Sequence, residues 1–213
     1  LIFIAGVSWC CAFAVFFHVR GAFAQAASSQ KVLWKIGEDN QSDAEFALAP
    51  KGYGDFLEKD FGWEDGYFLI GSSVAKKDWP YALPGPQDAW GGTAPLAGWH
   101  APVLNILFGI DRLAGEGKYQ LVIKLLDTHP VAPPLFKVCV NDSSWEYQLP
   151  RGSGDSVITD PSMHGDGYVI RIPLDKRILK TGGNEISLSS LRGSWVIFDQ
   201  VRLEGPSEVV ISQ

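Results

Sequence analysis

The side chains best suited to chemistry in this sequence are aromatic rings concentrated in one segment. Between residues 63 and 99, tryptophans and tyrosines are interleaved with glycine, aspartate and proline. Flat aromatic rings stack on the apolar C–H faces of sugars, while nearby polar groups bond to the hydroxyls. We therefore expect a ligand surface formed by Trp63, Trp79, Tyr81, Trp90 and Trp99. The alternative is that these rings pack in a core or against another domain.

Residues that could catalyse a reaction are scattered along the chain. Acid–base cleavage of an acidic sugar chain needs a cation and a Tyr, His or Lys base that converge on one cleft. His100, His129 and His164 share no local spacing that would pair them. The sequence contains no H-E-x-x-H, G-x-S-x-G, phosphate-loop or C-x-x-C motif. We assign no catalytic residue and expect no catalytic activity of this chain alone.

One stretch of aspartates raises the question of a metal. Asp155, Asp160 and Asp166 could supply oxygen ligands to Ca²⁺, which takes six to eight of them. Their spacing does not fit an EF-hand loop, and turn formation explains aspartate beside glycine and proline. We assign no metal site and no cofactor, and Ca²⁺ stays open as an alternative.

The net charge of the chain limits the classes of partner that it can bind. The chain of 213 residues has a formal net charge of −6 and a pI near 5.2. Nucleic-acid binding depends on a basic face that neutralises phosphates. The composition therefore argues against nucleic acid as the partner.

The N-terminal segment differs from the rest of the chain. Residues 1–17 are apolar and uncharged, and Ala22, Phe23 and Ala24 follow as a small-residue cleavage pattern. This combination predicts a signal peptide over residues 1–24, cut after Ala24. The apolar stretch is short for a hydrocarbon core, which takes about 20 residues to cross. We expect a secreted or periplasmic protein with no membrane association after cleavage.

The segments that position these side chains have the sequence pattern of β-strands. Tyr119, Leu121, Ile123 and Leu125 alternate with other residues, which places them on one face and Lys124 on the other. Residues 195–203 alternate in the same way, with Trp195 on the inner face. Many short strands separated by Gly, Pro and Asp turns predict an all-β fold, a β-sandwich or jelly roll. Residues 50–102 show no strand periodicity, so we expect a long irregular segment there.

Both ends of the predicted domain carry a family resemblance. Residues 34–40 (WKIGEDN) open it, and residues 182–188 (GGNEISL) and 193–204 (GSWVIFDQVRLE) close it. These segments resemble the carbohydrate-binding-like third domain of rhamnogalacturonan lyases. The resemblance implies a galactose-binding-like β-sandwich over residues 31–205. It transfers no catalytic residue, because the catalytic groups of those lyases belong to a different domain.

Together these observations predict an accessory module that binds a polysaccharide or oligosaccharide. The resemblance implies a covalently linked catalytic domain outside this chain, in an enzyme that degrades pectin or rhamnogalacturonan. Residues 206–213 then begin a linker or a further region. Two alternatives stay open: a polysaccharide lyase with its catalytic residues in 50–102, and a structural spacer that binds nothing. Asn184 and Asp199 are expected to hold turns and loops rather than a sugar.

Overall fold

The computed structural model describes residues 30–50, 52–59, 61, 65–91, 101–115, 117–160 and 162–212. The predicted signal peptide lies outside these residues, as do Trp63, Trp99 and His100. Among the helices of the described residues, none has the length and apolar character needed to cross a membrane.

The described part of the chain is built almost entirely of strands. In chain order they are β1 (Gln30–Gly37), β2 (Gly66–Leu69), β3 (Ala82–Leu83), β4 (Leu104–Arg112), β5 (Tyr119–Thr128), β6 (Leu135–Val140), β7 (Ser143–Gln148), β8 (Tyr168–Leu174), β9 (Gly182–Arg192), β10 (Val196–Pro206) and β11 (Val210–Ile211). Two single-turn α-helices interrupt them, α1 (Ala75–Asp78) and α2 (Ser156–Thr159), as do two 3₁₀-helices, Gly52–Asp55 and Ala89–Gly91. The predicted all-β class is confirmed.

The strands form two sheets. Sheet I has the order β1-β10-β5-β8, and β3 pairs with the end of β10. Sheet II has the order β11-β4-β9-β6-β7, and β2 pairs with β4. All pairings within the two sheets are antiparallel except that of β2 with β4. Side chains from both sheets share one core, so the domain is the β-sandwich that the sequence predicts.

The alternation in β5 is the clearest agreement between sequence and structure. Tyr119, Leu121, Ile123 and Leu125 are at most 3% exposed and belong to the core. Lys124 lies on the opposite face, as predicted, and 19% of its side chain is exposed. The outer face of β5 is only partly covered, since Gln120, Lys124 and Leu126 on it are half-buried.

Strand β10 lies between β1 and β5 and combines regular pairing with a bulge. Val201 and Leu203 face the core, while Arg202 points outward. The register with β5 shifts on both sides of Phe198, so Asp199 has no directly paired partner. A bulge of this kind redirects the side chain of the extra residue. Trp195, which immediately precedes β10, is 3% exposed, so its predicted burial is confirmed.

The expectation of an irregular segment over residues 50–102 is wrong at three short elements of its described part. They are β2, α1 and β3, and β2 pairs in parallel with β4. These elements are too short to show a period in the sequence. Their stability comes from pairing with distant strands, which local patterns do not report.

The sequence-based domain boundary at residue 205 also needs correction. Val209 is 2% exposed, and β11 pairs with β4 of sheet II. Residues 209–211 are therefore part of the sandwich rather than the start of a linker.

The core position of β5 gives a direct test. Leu121→Ala and Ile123→Ala should each lower the free energy of unfolding by about 2–5 kcal/mol, because each leaves a cavity in a packed core. Urea unfolding followed by tryptophan fluorescence measures this. As a control, Lys137→Ala on the outer face of sheet II should change stability by about 0.5 kcal/mol or less. Equal effects of all three changes would contradict the described register.

Candidate functional site

A cleft opens at one end of sheet I, where the strands meet two loops. Its volume is about 510 Å³. The walls are the loop that follows β1, the segment that precedes β8, and the adjoining ends of β5 and β10. The side chains that line it include Asp39, Asp43, Lys124, Asp166, Tyr168 and Asp199. The cleft therefore combines hydrogen-bonding groups of both signs with one half-buried aromatic ring.

The bulge in β10 fixes the first wall of the cleft. Its extra residue, Asp199, is 4% exposed and accepts backbone N–H groups of Gln41 at 3.0 Å and Asn40 at 3.4 Å. The loop after β1 is thereby tied to sheet I. The predicted role of Asp199, holding a neighbouring loop, agrees with these contacts.

The second wall is held just as closely to β5. The Asp127 carboxylate accepts the Ser153 hydroxyl at 2.7 Å and the Ser153 backbone N–H at 3.2 Å. Further along, a Cβ at Gly165 would lie 2.1 Å from the Leu126 carbonyl oxygen, so only glycine allows this approach. Both walls of the cleft are therefore fixed by specific contacts.

Lys124 is the cation of the cleft, and it is paired with Asp39. The Lys124 ammonium forms an ion pair with the Asp39 carboxylate, and Arg202 Nη1 lies 3.9 Å from the same carboxylate. The hydrogen bond from Lys124 holds the pKa of Asp39 below its usual value. Because 52% of the Asp39 side chain is exposed, this pair is open to exchange with a ligand carboxylate.

Beyond Lys124, cations are arranged across the outer face of sheet I. Four residues form a row across the sheet. Lys35 on β1 pairs in register with Arg202 on β10, and Arg202 pairs with Val122 on β5. On its other side, Val122 pairs with Arg171 on β8. We call Lys35, Lys124, Arg171 and Arg202 the cationic face. Val122 is fully buried although it lies on this outer side, as expected beneath the stems of long flanking side chains.

The cations of this face differ in their hydrogen bonds, ion pairs and exposure to solvent. Arg202 donates to Glu204 at 2.7 Å and to Gln200 at 2.6 Å, and only 13% of its side chain is exposed. Lys35 pairs with Glu38. Arg171 is exposed and acts on Asp39 only through its charge, which helps to lower the pKa of that carboxyl, with no hydrogen bond or ion pair within the described residues. Its guanidinium is the donor most available to a bound anion.

Two carboxyl groups of the cleft have pKa values that are higher than usual. Burial raises the pKa of Asp43 and of Asp199 above the ordinary value for aspartate. Burial disfavours the charged form of a carboxyl group. In mildly acidic solution these groups are therefore protonated more readily than an exposed aspartate, which reduces the negative charge of the cleft.

The structure corrects two of the predicted ligand residues. Trp79 and Tyr81 are each 1% exposed. The Trp79 ring packs between Phe68 of sheet II and Phe198 of sheet I, with ring centroids 5.9 and 5.3 Å away. The Tyr81 hydroxyl donates to the Ile158 carbonyl at 3.0 Å. Both rings are core residues because they fill the space between the sheets, so neither offers a face to a sugar.

The other predicted aromatic residues have different positions. Trp90 is half-buried and packs edge-on against Tyr53 and Phe56, with centroids 5.3 and 5.6 Å away. Trp63 and Trp99 lie outside the described residues. Of the predicted residues that the structure describes, neither Trp79, Tyr81 nor Trp90 lines the cleft or belongs to the cationic face.

The aspartates considered for Ca²⁺ take part in separate contacts. Asp155 Oδ1 lies 3.2 Å from His129 Nε2, and Asp160 accepts the Ser162 hydroxyl at 2.7 Å. Asp166 lines the cleft. Within the described ranges, no group of three or more His, Cys, Asp or Glu could hold a metal ion.

The cationic face was missed by sequence reasoning for a definable reason. Lys124, Arg171 and Arg202 each occupy an outward position on a different strand. Alternation alone predicts that each side chain points away from the core. Only the order β1-β10-β5-β8 brings them together, and that order is not readable from local spacing.

Two solved structures that match this chain share little of its sequence. A structure of a family 35 carbohydrate-binding module from an environmental isolate is 18% identical, with a TM-score of 0.33, over 50% of this chain and 70% of that one. A family GH115 4-O-methyl-α-glucuronidase with specificity for decorated arabinogalactans is also 18% identical, with a TM-score of 0.30. That match covers 47% of this chain and 13% of the enzyme. No curated protein sequence matches.

A family model matches a larger share of this chain than either of these structures does. The model for the carbohydrate-binding-module-like domain III of polysaccharide lyase family 4 matches residues 32–203. This range runs from β1 to β10 and includes both walls of the cleft and the whole cationic face. The chain therefore belongs to the carbohydrate-binding-module-like domain III family of polysaccharide lyase family 4.

Proposed function

We propose that this chain is a carbohydrate-binding accessory module of an enzyme that degrades pectin or rhamnogalacturonan. Its ligand is an acidic polysaccharide that lies along the cationic face and reaches into the cleft beside Lys124. The observation that carries this proposal is the position of Arg171, an exposed cation beside Lys124 and Arg202 in a chain of net charge −6.

The chemistry of a uronate sugar suits this surface. Arginine binds a carboxylate through two parallel N–H donors, and this geometry is stronger and more specific than a single contact. Arg171 and Arg202 lie on strands separated only by β5, which places them about 10 Å apart by ordinary strand spacing. The two guanidinium groups can therefore contact different points of one bound oligosaccharide.

The cleft supplies the contacts for sugar hydroxyls. Asp43 and Asp166 line it as hydrogen-bond acceptors, and Tyr168 adds part of an aromatic ring. Ligand sites generally combine a few polar groups with apolar or aromatic walls. A sugar carboxylate would take the place of Asp39 at Lys124, and its hydroxyls would contact the remaining cleft.

Two further parts of the proposal concern residues outside the described ranges. Trp63 and Trp99 are proposed to contact the ligand as stacking residues. Residues 1–24 are proposed to direct export, so that the module meets its polysaccharide outside the cell. N-terminal sequencing of the secreted protein should then begin at Gln25, and a start at Leu1 would contradict export by cleavage after Ala24.

Binding to an acidic oligosaccharide provides the main test. We expect an oligogalacturonate to bind with a Kd in the micromolar to millimolar range, about −4 to −8 kcal/mol. Arg171→Ala and Lys124→Ala should each raise the Kd by about tenfold, since each removes a charge-assisted contact. Isothermal titration calorimetry measures the Kd, and binding should weaken as salt is added.

The control for this test changes the same charge on the opposite sheet. Lys137→Ala on β6 should leave the Kd of the oligogalacturonate unchanged. If all three variants bind as the wild type does, the cationic face is not the binding site. If no acidic oligosaccharide binds at millimolar concentration, the chain is better described as the structural spacer considered above.

The expectation that this chain alone has no catalytic activity is tested separately. We expect the purified chain to release no unsaturated uronate product from pectic substrates, measured by ultraviolet absorbance. Tyr81 is buried and hydrogen-bonded, so Tyr81→Phe should have no effect on any residual signal. Activity that survives purification and is lost in His100→Ala would instead support a lyase site in residues 50–102.

A further inference from the structure

A second surface with features of a binding site lies on the outer face of sheet II. Tyr67 on β2 is 57% exposed, and Leu69, two residues further on the same face, is 45% exposed. Tyr67 pairs in register with Asn105, and Leu69 pairs with Leu107 of β4. Within the described residues, Tyr67 is the large aromatic side chain that a strand presents most openly to solvent.

A depression of about 680 Å³ begins at Leu69, two residues along β2 from Tyr67 and on the same face of the strand. Leu69, Leu107 and Gly183 contribute to its floor, and Asp142, Lys180 and Glu185 contribute to its polar lining. An apolar floor with a polar edge matches a sugar ring, which presents C–H groups on one face and hydroxyls around its rim. We call Tyr67 and this depression the Tyr67 surface.

Gly183 is the most informative residue of the Tyr67 surface. A Cβ placed on it would meet no atom within 4 Å, and its backbone conformation is one that any residue can adopt. The neighbouring Gly182, with φ of +92°, already provides the left-handed geometry of the turn. The pairing of β9 with β4 has no bulge at this point.

Nothing within the described chain therefore requires glycine at position 183. Its strand partner differs, because a Cβ on Gly109 would lie 2.6 Å from the Ser212 hydroxyl. Glycine weakens a strand and often marks a place where a ligand approaches the backbone closely. A side chain at Gly183 would extend into the depression, so the glycine keeps that space open.

Charge distinguishes this surface from the cationic face. The lining of the depression carries the carboxylates of Asp142 and Glu185 and one cation, Lys180, which pairs with Asp142 at 3.2 Å. The local balance is therefore negative. An acidic sugar would be repelled, whereas the hydroxyls of a neutral sugar could donate to these carboxylates.

We propose that the Tyr67 surface is a second binding site, which takes a neutral pyranose chain stacked on Tyr67 and lying over Gly183. This site is separate from the cleft and the cationic face, and the inference does not depend on the ligand proposed for them. The side chain of Tyr67 supplies the stacking contact, and Glu185 and Lys180 bond to hydroxyls.

The experiment uses neutral hexasaccharides and protein labelled with 3-fluorotyrosine. The sequence contains six tyrosines, so ¹⁹F NMR gives few resonances, and Tyr67→Phe assigns the one of interest. Titration with β-1,4-galactohexaose or cellohexaose should shift the Tyr67 resonance. Tyr67→Ala and Gly183→Val should each raise the Kd at least tenfold, by removal of the ring and by filling of the depression; isothermal titration calorimetry measures these Kd values, since Tyr67→Ala has no Tyr67 resonance.

Matched controls separate binding from folding and from the first site. Gly115→Val introduces the same side chain at another glycine with open space around it, and should leave the Kd unchanged. The Tyr67 resonance distinguishes this surface from the first site, because Tyr67 belongs to sheet II and does not line the cleft at sheet I. The thermal unfolding midpoint of each variant shows that it is folded.

Three results would overturn the inference. The first is that neither neutral hexasaccharide shifts the Tyr67 resonance at millimolar concentration. The second is that a folded Tyr67→Ala variant binds as tightly as the wild type. The third is that only an oligogalacturonate shifts this resonance, because the charge argument excludes an acidic ligand here.

Discussion

The pairing of β10 with β5 is the constraint on which the rest of the structure depends. These are the two central strands of sheet I, and β10 also holds β1. The pairing places Val201 and Leu203 in the core and Arg202 outside it. It also contains the bulge from which Asp199 holds the loop after β1. The core, the cationic face and one wall of the cleft are thus consequences of one strand pair.

The parts of the fold that the sequence predicts are those with a local signal. Leu121 and Ile123 are recognisable as core residues because side chains alternate across a strand. The role of Asp199 was also foreseeable, since a lone carboxylate in an apolar strand needs N–H partners. Strands β2 and β3 were missed because they are four and two residues long and depend on distant partners. The cationic face was missed because strand order is a non-local property.

The aromatic residues show why composition does not identify a binding surface. Trp79 and Tyr67 belong to the same aromatic-rich segment, yet one is 1% exposed and the other 57%. Trp79 lies between the sheets, where a large ring fills the core, while Tyr67 occupies an outward position of a regular strand. Their neighbours in the sequence are similar mixtures of polar and apolar residues. Only the pairing of β2 with β4 decides which ring a ligand could contact.

The bulge at Asp199 also bears on how sequences of this kind can diverge. Deleting one residue there would invert every later position of β10, so that Arg202 would turn inward and Val201 outward. Insertions and deletions in this strand are therefore expected to be eliminated by selection. The two loops that wall the cleft have no strand register to preserve, so they tolerate changes in length outside the contacts that Asp199 and Gly165 make. New ligand preferences can accordingly evolve through loop variation while the central strand pair stays fixed in length.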